Sequence, residues 1–173
     1  MTKFTRNLTL LASATGLFVA VPAVAAPVGA TPPATATARI VRPLTLTKNT
    51  NLDFGTIVLS AVTGNNTVSL DTANALTCGG GSELVCSGTT TVANFTVKGT
   101  NNQTVKSLTA ASTLTGSVSG SLTFTPAAAA TVALGATGAT TGVNFNVGGA
   151  IVIGTATAEG VYTGTMDVTV DYN

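Results

Sequence analysis

"GVYTGTMDVTVDYN", Gly160 to Asn173, is the stretch whose reading decides the fold. Tyr162, Gly164, Met166, Val168, Val170 and Tyr172 share one parity, while Thr163, Thr165, Asp167, Thr169 and Asp171 share the other. Period-two alternation of this kind marks a strand with one face in a core. Such a strand also has edges that need partners. Its partner is either a strand of the same domain or a strand lent by another chain, by β-augmentation.

Working outward, the same grammar recurs. "LDFGTIVLS" (Leu52 to Ser60), "TVSLD", "TTVANFTVKG", "NNQTVKSLTA" and "GSVSGSLTFTP" read as short strands, separated by turns rich in Gly, Asn and Pro. "ATATARIVRPLTLT" (Ala34 to Thr47) also alternates, but Pro43 cannot donate to a ladder. An edge strand, or two strands meeting at a break, is expected there. Only "PAAAATVALGA" carries helical propensity, and it is brief. Even spacing of short strands predicts one all-β domain, a sandwich or barrel. A membrane barrel would need longer outward apolar faces and aromatic girdles, which are missing.

The opening of the 173-residue chain differs. Lys3 and Arg6 precede an apolar run, Leu8 to Val24, and "AVA" ends at Ala25. Residues 1–25 are expected to be a secretory signal peptide, removed before Ala26. Residues 26–38 form a Pro-rich extended start, and the β-domain is expected over 39–173. The protein is therefore expected to be secreted, passing the periplasm to the cell surface or medium, with no membrane span in the mature chain.

Composition excludes several functions. Beyond the signal, five basic residues (Arg39, Arg42, Lys48, Lys98, Lys106) face six acidic ones (Asp53, Asp71, Glu83, Glu159, Asp167, Asp171). That balance of minus one offers no field for a nucleic acid. Histidine is absent, so Ser-His and Cys-His pairs and imidazole metal ligands are all ruled out. Asp167 and Asp171 lie about 13 Å apart along a strand, wider than either glycosidase geometry. No catalytic residue, metal site or cofactor is expected. Cys78 and Cys86 bracket "GGGSELV". They are expected to form a structural disulfide, contributing roughly 2–3 kcal/mol.

"ARIVRPLTLTKNTNLDFGTI" together with "GVYTGTMDVTVDY" resembles an uncharacterised family of secreted bacterial proteins, related to chaperone–usher pilins and spore coat protein U. Like those pilins, the chain has a penultimate tyrosine, Tyr172, and a glycine fourteenth from the end, Gly160. The resemblance implies an immunoglobulin-like, pilin-like β-sandwich, incomplete and completed by a donor strand. It implies an acceptor groove or assembly edge at Gly160, Tyr162, Gly164, Met166, Val168, Val170 and Tyr172. The implied donor is the extended start, with Val28, Ala30, Ala34, Ala36 and Ala38 as pocket fillers. Implied partners are sister subunits, a periplasmic chaperone and an outer-membrane usher. The implied role is a structural subunit of a surface filament or coat. Two features depart from the pilin pattern: Pro32-Pro33 in the donor, and a disulfide in mid-chain. The alternative is a self-complete monomeric adhesin or carbohydrate-binding sandwich.

Overall fold

The computed structural model describes residues 25–173. The expected signal segment lies outside the described residues, save for Ala25. Residues 25–38 are exposed and carry neither strand nor helix. The chain divides after Ala38, and Arg39–Asn173 is a compact all-β unit.

Its strands are β1 (Thr45–Thr50), β2 (Thr56–Leu59), β3 (Asn66–Leu70), β4 (Leu76–Cys78) and β5 (Leu84–Ser87). There follow β6 (Ala93–Lys98), β7 (Thr104–Thr109), β8 (Ser112–Gly116), β9 (Ser121–Ala128) and β10 (Thr131–Ala133). The last three are β11 (Val143–Ile153), β12 (Tyr162–Thr163) and β13 (Val168–Tyr172). A 3-10 turn, Gly135–Thr137, is the sole helical element among the described residues.

The main sheet runs β1-β6-β11-β9-β8-β12, with β3 also on β11 and β4 on β3. Two smaller sheets, β10-β7-β13 and β2-β5, complete the antiparallel, sandwich-like arrangement. Strand β11 is the spine: residues 143–147 pair with β6, 147–151 with β9 and 149–153 with β3. Pro126 sits inside β9 opposite Gly149. It is tolerated because β8 pairs only as far as Phe124, so no ladder bond is asked of the proline nitrogen.

Two apolar clusters fill the interior. One holds Phe54, Val68, Leu70, Leu84, Leu122, Phe124, Ile151 and Ile153. The other holds Ala93, Phe95, Val97, Val105, Val132, Leu134, Phe145 and Val147. Leu52 and Met166 pack against both. Alternation along β6 and β11 turns every second side chain inward: β6 serves the second cluster alone, and β11 is long enough to reach both. Their other parity faces water and hydrogen-bonds across strands. Asn49 Nδ2 donates to Asn94 Oδ1 at 2.7 Å, and Asn94 Nδ2 donates to Asn146 Oδ1 at 2.7 Å.

Two expectations change. The alternation of residues 34–44 is not realised as a strand, and β1 begins only at Thr45, after Pro43. Small Ala and Thr side chains bury too little there to offset ordering the backbone. "LDFGTIVLS", expected as a strand over Leu52 to Ser60, is one only over Thr56–Leu59, because the turn at Asp53 and Gly55 interrupts it.

Candidate functional site: a cleft beside the closing strands

A cleft of about 1050 Å³ opens between two stretches of chain, residues 50–59 and 157–166. Its floor is apolar, with Phe95, Leu122, Phe124, Ile151 and Ile153 from the main sheet. Its rim includes Lys48, Asp53 and Glu159.

Each wall has a local cause. On the first, Asp53 Oδ1 accepts from the Gly55 nitrogen at 2.8 Å, and the Asp53 and Thr91 backbones bond reciprocally at 2.7 and 3.0 Å. This Asx-type turn drives Phe54 into the first cluster, edge-on to Phe124 at 6.2 Å between ring centroids. Strand β2 follows, bonded to β5 along one edge. Among the described residues no strand takes its other edge.

On the second wall, β12 pairs Tyr162 with Gly116 and Thr163 with Thr115. The Tyr162 hydroxyl donates to the Ala158 carbonyl at 2.7 Å, closing the turn that leads in. Gly160 has φ of +144°, a conformation that L side chains rarely adopt, and a Cβ there would meet Ser117 Oγ at 3.0 Å. A Cβ on Gly164 would come within 2.6 Å of the Thr113 carbonyl oxygen. Both glycines thus permit close approach to the chain's own β8 region.

The residues singled out in the sequence fall into three groups. Gly160, Tyr162, Gly164 and Met166 line the cleft. Val168, Val170 and Tyr172 pack instead against the second cluster, where β13 pairs with β7 from Val168↔Thr109 to Tyr172↔Val105. The terminal strand is therefore paired within the domain along one edge. Tyr172 is further fixed: its hydroxyl donates to the Arg42 carbonyl and accepts from the Thr100 nitrogen, each at 2.7 Å. The third group, Val28, Ala30, Ala34, Ala36 and Ala38, is exposed in irregular chain.

Cys78 and Cys86 are bonded to each other. Beside them Glu83 accepts from the Thr63 hydroxyl, from Asn66 Nδ2 at 2.7 Å and from the Thr63 nitrogen at 3.3 Å. The Thr63 hydroxyl, followed by the Asn66 amide and the Thr63 nitrogen, holds the Glu83 carboxyl below its usual pKa. Among the described residues no three of His, Cys, Asp or Glu are placed to hold a metal. No described helix is long and apolar enough to cross a membrane.

Reading the sequence missed one wall and the floor. Leu52, Phe54, Ile57 and Leu59 read in the sequence as one strand, of which only Ile57 and Leu59 lie in β2, and period two says nothing of which other segment they face. What the arrangement can do chemically is bind: it is a slot with an apolar floor, lined by β2 and β12, each of which has one edge that no strand takes among the described residues.

A family model described as a domain of unknown function, DUF4402, matches residues 44–172. No curated protein matches the chain. No solved structure matches it either.

Proposed function

The chain belongs to the DUF4402 family, and we propose that it is a structural subunit of a bacterial surface filament or coat, assembling by β-strand complementation. The observation that carries this reading is the cleft between residues 50–59 and 157–166, whose apolar floor is lined on either side by β2 and β12, each with one edge that no strand takes among the described residues. A guest strand would satisfy backbone groups on both walls and place alternate side chains on the floor. In this reading the domain is an immunoglobulin-like, pilin-like sandwich whose covering layer is completed by the guest. The donor is residues 26–38 of a sister subunit, and a periplasmic chaperone and usher precede it at the site. Export by residues 1–25 delivers the chain to that route.

The test compares the mature chain with and without residues 26–38, on unboiled and boiled gels and in negative-stain images. A boiling-sensitive ladder that needs the segment is expected. Monomers in both samples would overturn the proposal. They would favour the second reading, a self-complete secreted adhesin or carbohydrate-binding sandwich. That reading draws on the closed end of β13, where Tyr172 is bonded inside its own domain.

A further inference from the structure

We infer that the Cys78–Cys86 disulfide is the positioning element of the cleft: it ties the wall strand β2 to the main sheet, so that reduction frees the wall while the rest of the domain stays folded. The inference rests on reading the cleft as a strand acceptor.

Among the described residues β2 pairs with no strand but β5, and β5 with none but β2; neither joins a larger sheet. The ribbon is thus a separate two-stranded unit, and its strand β2 lines the cleft. Ile57, on that wall, lies directly opposite Cys86. Cys78, at the other end of the bond, lies opposite Val68 in β3, and Val68 is wholly buried. The bond thus links β5, the partner of the wall strand, to β4, whose neighbour β3 pairs with β11, the strand that carries the floor residues Ile151 and Ile153. The backbone of residues 79–83 also joins β4 to β5. The remaining ties are reversible, among them the burial of Leu84, the packing of Ile57 and Leu59 on the first cluster, the Glu83 bonds to Thr63 and Asn66, and the Asp53–Thr91 bridge at the ribbon's entry.

The cysteines are only eight positions apart. A loop so short removes less chain entropy than a long one, so the placement of this bond matters more than its contribution to global stability. An external dithiol reverses it in two exchanges. One thiolate attacks a cysteine sulfur and breaks the S–S bond, giving a mixed disulfide, and the second thiol resolves it. Cys78 and Cys86 together gain two electrons and two protons, and the dithiol leaves as its own disulfide. A chain exported without this bond then presents a slot with one untethered wall. Oxidation becomes the condition for holding a guest strand.

The test is hydrogen exchange on the mature chain in three forms: oxidised, reduced with dithiothreitol, and Cys78→Ala/Cys86→Ala. Amides bonded between β2 and β5 are expected to exchange at least tenfold faster in the last two forms, with β11 unchanged. Reoxidising the reduced sample should restore them, which covers the case in which the variant fails to fold. Equal protection of β2 in both redox states would overturn the inference. So would loss of β11 protection in step with β2, which would mark the bond as a general stabiliser. A synthetic peptide of residues 26–38 supplies the second readout. Binding to the oxidised form alone supports the inference, and equal binding to both forms overturns it. Binding to neither, with the exchange difference intact, supports the positioning role while counting against the strand-donor reading.

Discussion

The Tyr172 hydroxyl donates to the carbonyl oxygen of Arg42, 130 residues earlier in the chain, at 2.7 Å. Arg39 reinforces the junction, with its guanidinium 5.7 Å from the Tyr172 ring centroid and Nη1 donating to the Asn173 carbonyl at 2.7 Å. Bonding by this hydroxyl also satisfies the Thr100 nitrogen. Tyr172→Phe removes both bonds and keeps the ring. A loss of about 1–2 kcal/mol is expected from the usual net worth of such bonds. Urea titration reads it directly, and an unchanged midpoint would show that the hydroxyl holds nothing.

Floor and wall should separate on mutation. Phe124 is 2% exposed and packs edge-on to Phe54, so Phe124→Ala should cost about 3–5 kcal/mol. Ile57→Asp instead places a charge on the half-buried wall of the cleft. It should leave a folded monomer by circular dichroism and abolish the boiling-sensitive ladder. Ladders formed as readily by Ile57→Asp would place the assembly contact elsewhere.

Val170 faces the second cluster rather than the cleft. Val170→Asp should therefore lower thermal stability before it affects assembly, because a carboxylate there is desolvated without a partner. A variant with wild-type melting and no ladder would return β13 to the docking surface.

Gly164 lies against the Thr113 carbonyl and Leu114. Gly164→Val must displace β8 or the segment leading to β13, at a cost of about 1–3 kcal/mol. The prediction is a lower urea midpoint in the monomer, with no assembly needed to see it.

Acid should loosen the loop beside the disulfide. The Glu83 carboxyl is held below its usual pKa by Thr63 and Asn66, so its ionised form is favoured in the folded state. That contribution is present above the unfolded carboxylate value near 4.5 and is lost as pH falls through the lower folded value. Glu83→Gln should remove this acid-range part of the stability–pH curve and leave the neutral-pH slope alone. Identical acid slopes for both proteins would contradict it.

The sequence made the β class legible because alternation records which face a side chain takes. Gly160–Asn173 kept that parity: Tyr162, Met166, Val168, Val170 and Tyr172 are all partly buried while Thr163, Thr165, Asp167, Thr169 and Asp171 are exposed. The disulfide was legible from spacing and the absence of competing cysteines. The change at Met166 was not. Residues before it line the cleft and those after it pack on the second cluster, a difference set by which strands lie opposite, and parity carries no such information. Ala34 to Leu44 misled for the converse reason. Alternation of small side chains satisfies the pattern without enough apolar area to hold a strand.

Strand β11 supplies Phe145 and Val147 to one cluster and Ile151 and Ile153 to the other. In a fibre under tension, pull would enter through a guest strand in the cleft and leave through Arg39, beside the second cluster. Strand β11, bonded to β6, β9 and β3, bridges the cleft floor and the second cluster and would carry that load between them. Single-molecule pulling between a strand held in the cleft and residue 39 should find the guest leaving before the domain gives way, and unfolding at lower force than guest release would contradict it.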